Sequence, residues 1–165
     1  MDELNEALKL SIPAPQRRVA LQAFRRQMRR WGIALPDVPP LALSFGMGDF
    51  YEHGLVESWI ANERQAGYCG KYLFLFGGQT CAKHFHKRKL ETFFIVKGKV
   101  RMEYGGKTWV MRPGDVLRVD RSKAHRFTGI GPALILEISK PCLVNDNYFE
   151  DPRVPYGHPA GKKRG

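Results

Sequence analysis

The segment 83–98, KHFHKRKLETFFIVKG, decides the fold of this chain. His84 and His86 are two residues apart, and side chains at that spacing on a β-strand project from the same face. The four residues 87–90 are polar enough to form a turn or loop, after which Glu91 opens an apolar strand. Two imidazoles and a carboxylate that converge inside a barrel are the outline of a metal site. The segment therefore predicts two neighbouring strands that carry metal ligands on their inner face.

A fourth ligand should come from a neighbouring strand, and His125 is the candidate. It follows the segment 113–124, PGDVLRVDRSKA, which predicts a strand and a turn that bring the chain back over the barrel. Three imidazoles and one carboxylate suit Mn²⁺, Fe²⁺, Co²⁺, Ni²⁺ or Zn²⁺ and leave one or two positions open for substrate. The alternative is that the histidines are ordinary half-buried strand residues and that Glu91 lies on the surface.

The chain from about Leu41 onward consists of short apolar segments separated by turn residues. Gly105-Gly106 suits a two-residue hairpin turn, which requires positive φ angles. Many short strands at this spacing indicate an all-β sandwich or barrel. The predicted strands are KYLFLF (71–76), TCAKHFH (80–86), ETFFIV (91–96), KVRMEY (99–104), KTWVM (107–111), VLRV (116–119), HRFTG (125–129) and ALILEI (133–138).

The first 40 residues have a helical pattern instead. Residues 2–10 predict a short helix that the sequence IPAP ends. Between Gln16 and Trp31, apolar residues recur at steps of three and four, which predicts an amphipathic helix whose apolar stripe packs on the barrel. That stripe consists of Leu21, Phe24, Met28 and Trp31, and arginines occupy most of the remaining surface. We expect a helical extension over residues 1–40, a barrel over 41–150 and a tail over 151–165.

The net charge of +11 comes from 27 Lys+Arg against 16 Asp+Glu. No zinc finger, aromatic RNA-binding strand or glycine-rich phosphate loop accompanies this charge, so we expect a solvated basic face and no specific nucleic-acid partner. No apolar run approaches the roughly 18 residues of a membrane span, and no signal peptide is predicted. The 3 cysteines have wide spacings that suggest neither disulfides nor a zinc–thiolate site. We expect a cytoplasmic protein with no membrane association.

The sequence resembles the cupin superfamily. The first cupin motif is glycine, five residues, His-x-His, three or four residues, glutamate, six residues, glycine, and the matching positions are Gly78, His84, His86, Glu91 and Gly98. Gly114 and His125 match the second motif, whereas Asp120, Ser122 and Gly129 stand where that motif has proline, glycine and asparagine. The resemblance implies a single jelly-roll barrel, also called a double-stranded β-helix, with a helical extension before it.

A narrower resemblance runs from about Arg17 to Val154. The stretches GIALP, FGMGDF, GYCGKYLFLFGGQTC, KLETFFIVKGKV and NDNYFEDPRV are similar to the D-lyxose ketol-isomerase family of cupins. This resemblance implies a sugar isomerase of carbohydrate metabolism that interconverts D-lyxose and D-xylulose, with D-mannose and D-fructose as a second pair. It also implies Mn²⁺ as the metal. Cupins often pair through edge strands, so by analogy we expect a homodimer.

An isomerase needs an acid or base beside the metal. By resemblance Lys89 matches a functional lysine of the family, although it could also be a solvated loop lysine. Glu137 interrupts the apolar strand ALILEIS, and a carboxylate there costs stability unless it is paired, used or turned outward. Asp146 and Arg153 lie in the resembling C-terminal segment and could bind sugar hydroxyls, and Glu103 is a weaker alternative base. Two other functions stay open: a sugar-binding or sensory cupin, and an iron-dependent dioxygenase.

Overall fold

A computed structural model describes residues 2–155 and 157–159, and it has two N-terminal helices followed by ten strands in this part of the chain. The helices are α1 (Asp2–Leu8) and α2 (Ala14–Arg30), and Val144–Asp146 form one turn of 3-10 helix. The strands are β1 (Leu41–Leu43), β2 (Leu55–Glu63), β3 (Tyr68–Leu75), β4 (His84–Phe85), β5 (Glu91–Tyr104), β6 (Lys107–Met111), β7 (Val116–Val119), β8 (His125–Ser139), β9 (Tyr148–Phe149) and β10 (His158–Pro159). The tail residues 160–165 lie outside the described part.

The two longest strands, β5 and β8, close the sheet into the predicted barrel. They are antiparallel to each other along almost their whole lengths, from the pair Glu91–Ser139 to the pair Tyr104–His125. The first half of β5 also pairs with β7 and its second half pairs with β6. In the same way, the second half of β8 pairs with β3, whereas its first residue pairs with β4. Each long strand therefore pairs with different short strands along its two halves, and the sheet curls into a jelly-roll barrel.

The structure corrects the predicted strands at several places. The segments ETFFIV and KVRMEY are one bent strand, β5, and HRFTG and ALILEI are likewise one strand, β8. Only His84–Phe85 of the predicted strand TCAKHFH has strand structure, and β2 was not predicted at all. The bend in β5 lies at Gly98, where φ is +74° and the register with β8 shifts. A Cβ atom there would lie 2.8 Å from the Ala133 Cα, so only glycine permits this close approach.

The helix α2 covers part of the outer face of the barrel. Its residues Leu21, Phe24 and Met28 are buried, as predicted, whereas Trp31 is only half-buried. Trp31 follows the last helical residue, so its ring reaches the edge of the contact, where its centroid lies 6.0 Å from that of Phe74. Phe24 packs more closely on Phe74, at 5.2 Å between centroids. The arginines of α2 lie on its other side, and five of the six are exposed.

Replacement of Phe24 by alanine should destabilise the fold by about 3–5 kcal/mol, because a fully buried ring is removed and leaves a cavity. The measurement is the free energy of unfolding by chemical denaturation. Arg25→Ala is the matched control, since Arg25 is exposed on the same helix and surface substitutions usually change stability by about 0.5 kcal/mol or less. Equal stabilities of the two variants would contradict the packing of α2 on the barrel.

None of the described helices is both long enough and apolar enough to cross a membrane.

Candidate metal centre and active site

Three histidines meet inside the barrel. His84 in β4 pairs in register with His125, the first residue of β8, and His86 follows directly after β4. Ring centroids are 4.4 Å apart for His84 and His125 and 4.9 Å apart for His84 and His86. One ligand atom from each histidine lies within 4.8 Å of the others, and all three residues are buried. The structure thus brings together three of the four predicted ligands in the geometry of a single centre.

Backbone carbonyls fix the tautomer of all three imidazoles. The Nδ1 atoms of His84, His86 and His125 lie 2.7, 2.8 and 3.2 Å from the carbonyl oxygens of Ala82, Asp146 and Lys123. A carbonyl oxygen can only accept a hydrogen bond, so each Nδ1 carries the hydrogen. The Nε2 atom of each neutral ring therefore keeps its lone pair, which is the arrangement that a metal ligand requires.

Glu91, the fourth predicted ligand, stands between two of these lone pairs. Its Oε1 lies 3.3 Å from His86 Nε2, and its Oε2 lies 3.3 Å from His125 Nε2. These nitrogens and Glu91 Oε2 are buried without a hydrogen-bond partner among the described residues. Lone pairs that face carboxylate oxygens repel each other unless a cation lies near them. The four residues therefore fit a divalent metal ion.

The site favours the protonation states that bind metal. Burial, reinforced by the neighbouring histidines, lowers the pKa of His84 well below its usual value. Burial also lowers the pKa of His125, and His86 adds to the effect. Burial opposes the ionisation of Glu91, but the Lys89 ammonium, 2.7 Å away, holds the pKa of that carboxyl well below its usual range. Neutral imidazoles and an ionised carboxylate are the forms that coordinate a metal.

The metal-free protein should lose stability as the pH falls below about 6.5. Because the folded-state pKa values of His84 and His125 are lowered, the unfolded chain takes up protons that the folded protein does not. Each such histidine contributes a slope of up to about 1.4 kcal/mol per pH unit between its folded and unfolded pKa values. The measurement is chemical unfolding from pH 7 to pH 5. In His125→Gln the slope should be shallower, and an unchanged slope would contradict the burial of a neutral His125.

A chain of alternating charges extends from Glu91 into the barrel. The Lys89 ammonium lies 2.7 Å from Glu91 Oε1 and 3.1 Å from Glu137 Oε1. Beyond Glu137, the Lys71 ammonium lies 3.5 Å from Glu137 Oε2 and 3.2 Å from both carboxylate oxygens of Glu57. All five residues line the same cavity as His84 and His125. Lys89 and Glu137, the predicted catalytic residues, thus lie beside the candidate metal centre.

The members of this chain hold one another in their charged forms. Burial would lower the pKa of Lys89, but the Glu137 and Glu91 carboxylates raise it. Burial would likewise raise the pKa of Glu137, but the Lys71 and Lys89 ammonium groups lower it. Phenylalanine and leucine side chains form much of the remaining wall of the cavity: Phe45, Leu55, Leu73, Phe93, Phe127 and Phe149.

Lys71 and Glu57 were not singled out from the sequence, although a signal for both existed. Lys71 alternates with Leu73 and Leu75 along β3, and Glu57 alternates with Leu55 and Trp59 along β2. Side chains at this spacing share one face of a strand, so apolar neighbours at two-residue steps indicate that the charged residue points into the barrel. The same reasoning did identify Glu137 in β8.

Asp146 contributes to the site by binding the backbone of the loop 87–89 and the ring of His86. Its carboxylate accepts hydrogen bonds from the backbone N–H groups of Lys87, Arg88 and Lys89, with the shortest contacts at 3.0 Å. Its carbonyl oxygen accepts the hydrogen bond from His86 Nδ1. Because both oxygens of the buried carboxylate are engaged, Asp146 holds the loop 87–89, whereas the sequence suggested contact with sugar hydroxyls.

The metal-site cavity is the one that His84, His125 and the chain of charged residues line. The structure does not bring Arg153 or Glu103 to it. Arg153 is exposed and forms an ion pair with Asp151 at 2.6 Å. Glu103 pairs with Arg126 at 2.7 Å, and both Glu103 and Arg153 border a separate outer groove. Glu137 is therefore closer to the candidate centre than the alternative base that the sequence offered.

One departure from the second cupin motif leaves the backbone geometry intact. Ser122 stands where the motif has glycine and has a φ of +59°, in the left-handed region that glycine adopts most easily. Its N–H donates a 2.7 Å hydrogen bond to the His86 carbonyl. The turn before His125 thus keeps the shape that the motif glycine would provide.

Comparisons with known proteins agree with this fold. The family model for the cupin domain matches residues 73–139. The chain is 29% identical over 138 residues to a D-lyxose/D-mannose isomerase of Thermosediminibacter oceani, covering 67% of this chain and 75% of that protein. It is 28% identical over 170 residues to a D-lyxose ketol-isomerase of Cohnella laeviribosi, covering 83% of this chain and 91% of that protein.

The solved structure of L-ribose isomerase from Cellulomonas parahominis has the same fold. It matches with a TM-score of 0.75 and 16% identity, over 90% of this chain and 96% of that chain. The match extends well beyond the barrel core that the family model covers, so the two proteins share most of their architecture. Together with the matched histidine motif, these similarities show a cupin domain over residues 73–139 in a chain that is similar to D-lyxose isomerases over most of its length.

Proposed function

We propose that this protein interconverts D-lyxose and D-xylulose in a metal-dependent reaction, with D-mannose and D-fructose as a second substrate pair. The observation that carries the proposal is the juxtaposition of Glu137 and Lys89 with three clustered imidazoles, two of whose Nε2 atoms face Glu91. The names of the two relatives support the sugars. Lyxose and mannose share the configuration at C2, so a site that recognises C1 to C3 can accept both.

His84, His86, Glu91 and His125 would hold the metal, for which we propose Mn²⁺. When bound, a divalent ion polarises the sugar carbonyl and offsets the negative charge of an enediolate. The apolar wall of the cavity lowers the local polarity, which strengthens the electrostatic interactions within it.

Glu137 is the proposed base that transfers a proton between the adjacent carbons C2 and C1 of the sugar. Its carboxylate takes the proton from C2 of the open-chain aldose and returns it to C1, while a hydroxyl proton moves from O2 to O1. The sum of these two transfers converts an aldose to a ketose without gain or loss of atoms. Lys89 remains protonated beside Glu137 and donates a hydrogen bond to the sugar oxygen on which negative charge develops.

A coupled ketose assay tests the proposed function. It compares pentoses and hexoses with Mn²⁺, Fe²⁺, Co²⁺, Ni²⁺ and Zn²⁺, under anaerobic conditions. Turnover of D-lyxose above that of other aldoses is the expected result. If no aldose were turned over with any of these ions, a sugar-binding role would replace the isomerase function. Oxygen uptake by the Fe²⁺-loaded protein in a separate aerobic assay would indicate a dioxygenase.

Replacement of Lys89 by methionine should lower kcat by about 10²–10³-fold, the usual effect of removing one donor to a developing oxyanion. KM should change less, because the other contacts to the sugar remain. Steady-state kinetics and metal content are measured on the same preparation, since Lys89 also touches Glu91. Arg88→Met is the matched control, because Arg88 is an exposed cation in the same loop. A wild-type kcat in Lys89→Met would exclude this role.

We also propose a cytoplasmic homodimer. The three cysteines are free and buried, which suits a reducing compartment. Exposed apolar side chains on β2, β7 and β8, namely Ile60, Val116 and Ile138, are candidates for contacts with a second copy. Light scattering measures the mass in solution, and a monomer at micromolar concentration would contradict the dimer.

A further inference from the structure

Lys71 is a buried cation that the proposed reaction does not use. Its side chain is 5% exposed, and it stands between two carboxylates of the metal-site cavity. Burial raises the pKa of the adjacent Cys142 thiol to about 11, so this thiol carries no charge at neutral pH. The charge of Lys71 is therefore balanced by Glu57 on one side and by Glu137 on the other.

The two oxygens of Glu137 have different surroundings. Oε1 accepts hydrogen bonds from Lys89 at 3.1 Å and from the Ser139 hydroxyl at 2.8 Å. Oε2 has the longer 3.5 Å contact with the Lys71 ammonium. A carboxylate oxygen has two lone pairs, so Oε1 is fully used and Oε2 is the oxygen that can still accept a proton. Lys71 lies beside this oxygen and restrains rotation of the carboxylate.

Glu57 competes with Glu137 for the ammonium group of Lys71. Both Glu57 oxygens lie 3.2 Å from the Lys71 ammonium, closer than Glu137 Oε2. Glu57 is itself held in place, because its Oε2 accepts a 2.8 Å hydrogen bond from the Trp59 indole N–H. Without Glu57, the ammonium would have only Glu137 as a carboxylate partner and would bind it more tightly. A carboxylate in a tight ion pair is a weaker base.

We propose that Glu57 and Lys71 form a positioning pair for the base Glu137, an inference that rests on the proposed isomerase function. Lys71 orients Glu137 so that Oε2 faces the substrate proton. Glu57 keeps the Lys71 ammonium from pairing more tightly with Glu137, so that Glu137 Oε2 can accept that proton. Neither residue needs to touch the sugar, and both act through Glu137.

The kinetic test is a double-mutant cycle. Lys71→Met and Glu57→Gln should each lower kcat by about 10–100-fold, the usual effect of removing a group that orients a functional side chain, with a smaller change in KM. In a Glu137→Gln background, Lys71→Met should change kcat by less than about 3-fold, since non-additivity marks residues that act through one another. Lys99→Met is the matched control, because Lys99 is exposed on β5. Equal losses in both backgrounds would overturn the inference.

A second cycle uses unfolding temperatures and needs no substrate. Loss of either partner removes one opposite charge from beside the other buried charge, whereas loss of both removes the pair together. The double variant Lys71→Met/Glu137→Gln should therefore lose less in unfolding temperature than the two single variants together. Additive losses would overturn the pairing of Lys71 with Glu137. If the wild-type protein turned over no aldose, the proposed function would fall, and this cycle would still decide whether the two residues are coupled.

Discussion

Replacement of Glu137 by glutamine is expected to lower kcat by about 10²–10⁴-fold, the usual contribution of a positioned acid or base. Glutamine keeps the size of the side chain but cannot take the proton from C2. Metal content should be unchanged, because no predicted ligand contacts Glu137 directly and Lys89 lies between it and Glu91. The measurement is D-lyxose turnover and bound metal on one preparation.

The control for this variant is Glu103→Gln. Glu103 lies on β5 but pairs with Arg126 at the outer groove, so its amide variant should retain turnover. Wild-type-like turnover of Glu137→Gln would exclude this carboxylate as the base and would favour a hydride shift between the carbons. A loss of turnover in Glu103→Gln alone would instead indicate that the base lies outside the metal-site cavity.

Replacement of His125 by alanine is expected to remove the metal together with the activity. Loss of a group that merely orients a ligand weakens metal binding by about 10–100-fold, and loss of the ligand itself should exceed that range. It would also leave the Glu91 carboxylate, which lies 3.3 Å from His125 Nε2, without this neighbour. The measurements are elemental analysis, a metal titration and turnover. Added Mn²⁺ should restore little activity.

His53→Ala is the control for metal loss, because His53 lies in the turn between β1 and β2 and is absent from the histidine cluster. This variant should keep its metal and its turnover. If His125→Ala bound metal as tightly as the wild-type protein, the proposed set of ligands would be wrong. Turnover that survives metal removal by a chelator would contradict a metal-dependent reaction altogether.

The pairing of His84 with His86 could be predicted because it depends on a local rule. Residues two apart on a strand share a face, and this rule alone places His84 and His86 together. Alternation within β8 likewise predicts that Glu137 can point inward. The fold class follows from the number and spacing of the apolar segments. These signals lie within a few residues of one another, so a single sequence contains them in full.

The bends in the long strands could not be predicted in the same way. Gly98 in β5 and the segment 129–132 in β8 have the composition of turns, yet the chain continues as strand through both. Whether glycine ends a strand or bends it depends on the opposing strand, which here is β8 for Gly98. Lys71 is a different case: its inward face was predictable, but its partner Glu57 lies on another strand whose register a single sequence does not specify.

The dependence of the loop 87–89 on Asp146 has a consequence for the biogenesis of the protein. A ribosome makes all four proposed ligands before it makes residue 146. Until Asp146 docks, three backbone N–H groups of the loop and Nδ1 of His86 lack their acceptors. A nascent chain, or a fragment that ends before this residue, would therefore contain every ligand and still hold metal poorly. We expect such a fragment to bind the proposed metal more weakly than the full chain does.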